Sequence, residues 1–202
     1  MAELREPRRA RIERTTKETT ITVAVEMEAA ASPAADAVDV QTTVPFLDHM
    51  LHAMAFHGGF ALEVRASGDT EVDDHHLVED TGIVVGQCLQ RIAEQQPLRR
   101  FGSASVPMDD ALADVVIDAG GRPYCHYQAT FSQQRVGTFD VALVREFFVA
   151  LAVNARLNLH AVARHGVNAH HIIEALYKAL GRALAQAFEP AAMVRSTKGA
   201  VD

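Results

Sequence analysis

The sequence has no tryptophan, two cysteines in 202 residues, and only 6% aromatic residues. Cys88 and Cys125 stand in apolar or strand-like stretches without the spacing of a metal knuckle. Free thiols are therefore expected, with no disulfide scaffold and no thiolate zinc site. Basic charge is also short, since 19 Lys and Arg face 26 Asp and Glu, for a formal charge of −7. Binding to a phosphate backbone normally needs a basic excess, so nucleic acid is not an expected partner. No stretch approaches the roughly 18 apolar residues of a membrane span, and the polar opening MAELREPRRARIERTTKETT lacks the apolar centre of a signal peptide. The expectation is a cytoplasmic protein that does not touch a membrane.

The chain is 49% hydrophobic, enough for a sizeable core, and it carries ten histidines. Alternating apolar residues predict strands at 9–13, 20–27 and 38–43, with the small, polar 29–36 segment as a hairpin connection. Helical spacing follows at 46–57, stopping at Gly58-Gly59, then a strand at 60–66 and a helix at 74–93. The order is βββαβα, and it recurs. Strands are expected at 102–108, 114–118 and 124–131, a helix at 140–155, a strand at 156–164 and a helix at 168–188. Two half-repeats, 1–97 and 98–202 with its C-terminal tail, would form one compact α+β domain, its sheets covered by helices on one face.

Matching the halves sets Phe46-Leu47-Asp48 beside the segment around Phe139-Asp140. It also aligns His75-His76-Leu77-Val78-Glu79 with His170-His171-Ile172-Ile173-Glu174. In each cluster the first His and the Glu are four residues apart and share one helix face, where they can grip one metal. The second His is rotated by about 100° and points toward another. Imidazole with carboxylate is a ligand set for manganese, iron or zinc. His49 lies 26 residues before His75 and Glu146 lies 24 before His170, while the 163–168 hairpin is shorter than 66–73 by about that difference. His49 and Glu146 are therefore expected equivalents. Pseudo-symmetry suggests one quartet of His75, Glu79, Glu146 and His171, and a second of His49, His76, His170 and Glu174, each with room for substrate.

Arg100 and Arg122 stand beside turns, where a guanidinium can fork onto a phosphate, although surface arginines are commoner than phosphate ligands. Lys198 lies in a polar tail that is either a frayed terminus or a flap ordering on phosphate. Lys178, one turn after Glu174, either pairs along the helix or reaches substrate. His52, His57, His126, His160 and His165 have no repeat partner in a ligand slot, and structural or solvent roles are expected for them. A dimetal hydrolase and a metal-binding assembly protein would share the His/Glu clusters, but an assembly protein would leave the arginines idle.

Phe46-Leu47-Asp48-His49-Met50-Leu51, Asp73-Asp74-His75-His76-Leu77-Val78-Glu79-Asp80 and Asn168-Ala169-His170-His171-Ile172-Ile173-Glu174-Ala175 resemble the signatures of imidazoleglycerol-phosphate dehydratase. The resemblance runs from Arg14-Thr15-Thr16-Lys17-Glu18-Thr19 to Ser196-Thr197-Lys198-Gly199. It implies a lyase of histidine biosynthesis that dehydrates D-erythro-imidazole glycerol phosphate to imidazole acetol phosphate. It further implies two Mn²⁺ per active site on His49, His75, His76, Glu79, Glu146, His170, His171 and Glu174. Substrate contacts are implied at Glu18, His49, His75, Arg100, Arg122, His170, Lys178, Ser196, Thr197 and Lys198, with Arg100, Arg122, Ser196 and Lys198 on the phosphate. Glu18 becomes the candidate for proton transfer. The implied fold resembles the second domain of ribosomal protein S5, duplicated and assembled as a 24-subunit cubic shell. Glu146 stands where many relatives have His, and Leu77, between the first cluster's ligands, is expected to face the core or a neighbour. The implied chemistry binds the substrate ring as imidazolate, which expels the hydroxide through a diazafulvene-like intermediate and needs no redox cofactor.

Overall fold

The computed structural model describes residues 7–27 and 37–193. One sheet is formed by β1 (Arg8–Thr15), β2 (Thr19–Met27), β3 (Val38–Gln41) and β4 (Ala61–Gly68), accompanied by α1 (Pro45–Gly58) and α2 (His75–Ala93). The second is formed by β5 (Phe101–Met108), β6 (Ala111–Asp118), β7 (Tyr124–Gln128) and β10 (Asn158–His165), accompanied by α3 (Leu143–Asn154) and α4 (Ala169–Ala187). A ribbon of β8 (Arg135–Val136) and β9 (Phe139–Asp140) precedes α3. The strand orders, β1-β2-β4-β3 and β5-β6-β10-β7, are the same arrangement twice. In both sheets the last pair is parallel and the others antiparallel.

Three expectations change. Residues 29–36 lie outside the described residues, and the link they belong to is not a hairpin, because β4 sits between β2 and β3. Parallel strands need a crossover, and α1 supplies it between β3 and β4 as α3 does between β7 and β10. The 66–73 and 163–168 segments likewise join a strand to a helix rather than two strands. α3 starts at Leu143 rather than at 140, because Phe139-Asp140 pairs with Arg135-Val136 and the Asp140 carboxylate accepts from the Ala142 N–H (2.9 Å).

Strand burial alternates, so each sheet has one apolar face, carrying Ile21, Val23 and Val25 in the first and Ala113, Val115 and Ile117 in the second. α2 covers β1 and β2, and α4 covers β5 and β6. The helices then pack across the halves, α1 on α4 and α2 on α3, leaving the sheets outermost. Leu77 is buried in this core, as expected.

The two crossings are glycine contacts of the same kind. A Cβ on Gly181 would lie 1.9 Å from the Met54 carbonyl oxygen, and one on Gly86 would lie 2.8 Å from that of Leu151. Each glycine sits about three turns beyond its His-His-x-x-Glu start. Gly58 and Gly82 add further close approaches, to the Gly181 and Phe147 carbonyls. Such contacts bring backbones together that any side chain would hold apart. Gly181→Ala is therefore expected to destabilise the fold by about 3 kcal/mol or more, the upper end for overpacking. Gly137→Ala, where nothing lies within 4 Å of the new Cβ and only the left-handed backbone at φ 61° opposes it, is expected to lose about 1–2 kcal/mol. Equal shifts of the two urea midpoints would contradict the close crossing.

Candidate metal centre

The first turn of α4 is fixed by Asn168, whose side chain accepts from the His170 N–H at 2.9 Å. His170 and Glu174 then share a face, with Nε2 and Oε2 3.1 Å apart. The α1–α4 crossing sets His49 Nε2 3.5 Å from the same oxygen, and Phe46 meets the His170 ring edge-on at 5.3 Å. One donor atom from each of His49, His170 and Glu174 lies within 4.8 Å of the others, a spread one cation can draw together. Lys178 Nζ donates to the other Glu174 oxygen at 2.7 Å and lies 3.4 Å from Met108 Sδ. Burial pushes the Glu174 carboxyl up, but Lys178, His49 and His170 together outweigh it and hold it below the usual range. Glu174 is thus a ready anionic ligand at neutral pH.

α2 repeats the design. Asp73 accepts from the His75 N–H (2.8 Å), and His75 Nε2 lies 3.5 Å from Glu79 Oε2. Glu146 occupies in α3 the place His49 has in α1, next to Phe147, whose carbonyl abuts Gly82 one turn beyond Glu79. Its oxygen lies 3.1 Å from Arg145 Nη1. Among the described residues only the His49 trio converges within ligating distance.

The second histidines turn away, their rings at 86° and 81° to the first ones and centroids 6.1 Å apart in both motifs. Each leans on carboxylates of its own half. His76 Nδ1–H donates to Asp69 (3.0 Å) and lies 4.0 Å from Glu18; His171 Nδ1–H donates to Asp110 (2.6 Å), with Asp109 3.5 Å from Nε2. A carboxylate on Nδ1 fixes the tautomer that offers Nε2 to a metal. Asp69 is the main cause that raises the His76 pKa above its ordinary value, with Glu18 adding to it. Asp110 is held well below the usual carboxylate range by His171 first, then by the Val167 and Asn168 N–H groups.

Glu18 projects from the β1–β2 turn, where Thr16 Oγ1 accepts from the Glu18 and Thr19 N–H groups. The turn is pinned to α2 by Asp80, which receives the Thr19 hydroxyl and the Arg14 guanidinium, each at 2.5 Å. The Asp69 N–H adds a bond to the Glu18 carbonyl. The β5–β6 turn, carrying Asp109 and Asp110, is its counterpart in the second half. Asp69 and Asp110 as histidine partners were not read from the sequence; Asp110 had a signal, because it stands on the β5–β6 hairpin turn that matches the β1–β2 turn of Glu18, whereas Asp69 lies in the link from β4 to α2.

The arginines are elsewhere. The Arg100 N–H donates to the Ala187 carbonyl, which puts Arg100 at the far end of α4, about 26 Å along the helix from His170. Its Nε and Nη2 fork onto Asp118 at 2.6 and 3.0 Å. Arg122 is exposed on the β6–β7 loop at the same end, where a cleft of about 570 Å³ is lined by Arg100, Gly121, Arg156 and the end of α2. Ser196, Thr197 and Lys198 lie outside the described residues. His52 stacks on Phe56, and His126 and His160 face each other across β7 and β10, outside the trio. Both cysteines are free, the Cys88 thiol pushed up to about 12 by burial. No helix among the described residues is long and apolar enough to cross a membrane.

A duplicated α+β unit with a His/Glu cluster opening each half's last helix is the arrangement of a candidate metal-binding enzyme. Residues 42–184 match the family model of imidazoleglycerol-phosphate dehydratase. The Bacillus velezensis enzyme of that name is 48% identical over 196 residues, 95% of this chain and 98% of the relative. The one from Aromatoleum aromaticum is 46% identical over 199 residues, 96% of this chain and all of the relative. Solved structures agree. The Staphylococcus aureus enzyme superposes with a TM-score of 0.79 at 40% identity, over 91% of this chain and 99% of its own. The Pyrococcus furiosus enzyme in complex with (S)-C348 gives 0.79 at 39%, over 93% and 99%. The chain belongs to the imidazoleglycerol-phosphate dehydratase family and is a lyase of histidine biosynthesis.

Removing the carboxylates behind the second histidines tests this account of the centre. Asp69→Asn and Asp110→Asn are each expected to weaken metal binding about 10–100-fold with the fold retained, as read by titration calorimetry. Unchanged affinity in both would show that the two histidines are not ligands.

Proposed function

We propose that the chain dehydrates D-erythro-imidazole glycerol phosphate to imidazole acetol phosphate at sites that each hold two Mn²⁺ and are completed by neighbouring subunits. The carrying observation is the split of each expected quartet. His49, His170 and Glu174 meet within 4.8 Å, but His76 is turned to Asp69 and Glu18 at the start of the other half's helix. The arginines expected on the phosphate stand at the far end of α4, about 26 Å along that helix from His170, beyond the reach of one small substrate. A second copy presenting its own α2 edge and arginine end would supply both. Self-association into a large shell, implied by the motifs, is consistent with this geometry.

The nitrogen and oxygen donors, with an ionised Glu174 and no thiolate, suit Mn²⁺. His49, His75, His76, Glu79, Glu146, His170, His171 and Glu174 would hold the metal pair, which would supply the Lewis acidity that lets the substrate's own ring assist loss of the hydroxyl, since the departing proton is not adjacent to a carbonyl. The chain's own residues do the rest. Glu18, exposed on a turn pinned to α2, takes the carbon-bound proton and relays it. Lys178 holds the Glu174 carboxylate in place beside the substrate. Arg100, oriented by Asp118, and Arg122 grip the phosphate, and Ser196, Thr197 and Lys198, outside the described residues, are the further candidates for contact with it.

Two experiments test the proposal. Chelation is expected to abolish turnover and to shrink the particle seen by light scattering to a small oligomer, with Mn²⁺ restoring size and activity together, because metal that bridges subunits stabilises the assembly by mass action. A metal-loaded monomer with full activity would eliminate shared sites. Glu18→Gln is expected to lower kcat about 10²–10⁴-fold with KM little changed. Near-normal kcat would shift the proton transfer to another acid, Asp109 or Asp110 first.

A further inference from the structure

The internal repeat supplies a control for each residue, and one position departs from it against the backbone's own preference. α1 ends on Gly59 in the left-handed region at φ 70°, with the Gly59 N–H to the Phe56 carbonyl and the Phe60 N–H to the Ala55 carbonyl. α3 ends on the same pattern, the Arg156 N–H to the Val153 carbonyl and the Leu157 N–H to the Ala152 carbonyl, but the left-handed residue at φ 53° is Arg156. Glycine adopts this conformation without strain and an L side chain does not. An arginine kept there needs a reason in its side chain.

The side chain crosses to the β6–β7 loop, where Nε donates to the Gly121 carbonyl at 2.9 Å. Gly121 is itself left-handed, at φ 83°, and precedes Arg122. The neighbouring Gly120 is wedged on the Arg100–Asp118 pair, where a Cβ would lie 2.9 Å from both Arg100 Nη2 and Asp118 Oδ1. Arg100, at φ 79°, completes a set of three left-handed residues lining one cleft. The Gly120-Gly121 turn is thus held on one side by the Arg100–Asp118 fork and on the other by Arg156.

We propose that Arg156 is a positioning residue that clamps the Gly120-Gly121 turn and so sets Arg122 beside Arg100 for an anionic phosphate. The inference rests on the proposed role of Arg122 in phosphate binding, and the test separates the two. KM and kcat for imidazole glycerol phosphate, and the inhibition constant of inorganic phosphate, are measured on the metal-loaded enzyme for Arg156→Gly and Arg122→Ala, together with the thermal midpoint. Arg156→Gly is expected to raise KM and the phosphate inhibition constant in parallel by roughly tenfold, with kcat changed less than about twofold. Its midpoint is expected to stay level or rise by up to roughly 3 °C, because the strained backbone is relieved. That opposition distinguishes a clamp from a scaffold residue. A midpoint lower by more than a few degrees, or kcat falling as far as KM rises, overturns the proposal. If Arg122→Ala raises KM but Arg156→Gly does not, the clamp is wrong and the phosphate role stands. If Arg122→Ala leaves KM unchanged, the phosphate role of Arg122 fails, and the clamp with it.

Discussion

The close crossing of helices from opposite halves is the constraint on which the metal centre depends. α1 and α4 run side by side in the same direction, as successive contacts show: Phe46 on His170, His49 on Glu174, Gly58 on Gly181. Gly181 lets the backbones approach until the Met54 carbonyl fills the place of a side chain. That spacing is what allows a five-membered imidazole ring on α1 to reach a carboxylate on α4. A wider crossing would leave His49 and Glu174 on separate surfaces. Because Gly86 and Leu151 reproduce the contact between α2 and α3, the fold generates two such junctions from one local rule.

The junctions lie where helices begin, and this matters chemically. The His75 and His170 N–H groups are taken by Asp73 and Asn168, so the first turn of each motif is ordered by its own sequence. Hairpin turns from the sheets then reach the same ends, bringing Glu18 and Asp110 against the second histidines. Sheet, helix start and crossing therefore meet at one end of each half. The strained turn with Arg100, Gly121 and Arg156 occupies the opposite end, next to the C-terminus of α4. The residues proposed for metal and for phosphate are thus separated within a subunit by about the length of a helix, the distance that the proposed assembly would have to close.

Much of this was legible in the chain. Burial period located the helices to within a few residues, and the repeated His-His-x-x-Glu, being local to one helical turn, carried its geometry directly. Equally, His49 could be paired with Glu146 from the repeat alone. What escaped depends on long-range contacts. The insertion of β4 between β2 and β3 leaves no trace in either strand's pattern, and two-residue strands such as β8 and β9 are too short for a period. Arg100 looked like a phosphate ligand beside a turn, but its Asp118 fork and its distance from His170 follow from how the sheet is laid against α4. A left-handed arginine is invisible until the backbone is known.

The exchange of His49 for Glu146 at matching places breaks the symmetry of the repeat. On the proposed quartets, one metal faces three imidazoles and the Glu174 carboxylate, while the other faces two imidazoles and the carboxylates of Glu79 and Glu146. The second set carries one more negative charge and is harder, so it favours an oxygen-loving divalent ion, whereas the first is closer to the imidazole-rich sites that accept zinc or iron. Lys178 adds to the difference by binding Glu174 and drawing charge from the first set, while no lysine stands at the equivalent place after Glu79, where the residue is Ile83. On these proposed quartets, two copies of one half-unit would offer two unlike ligand sets, the difference resting on His49 against Glu146 and on Lys178 against Ile83.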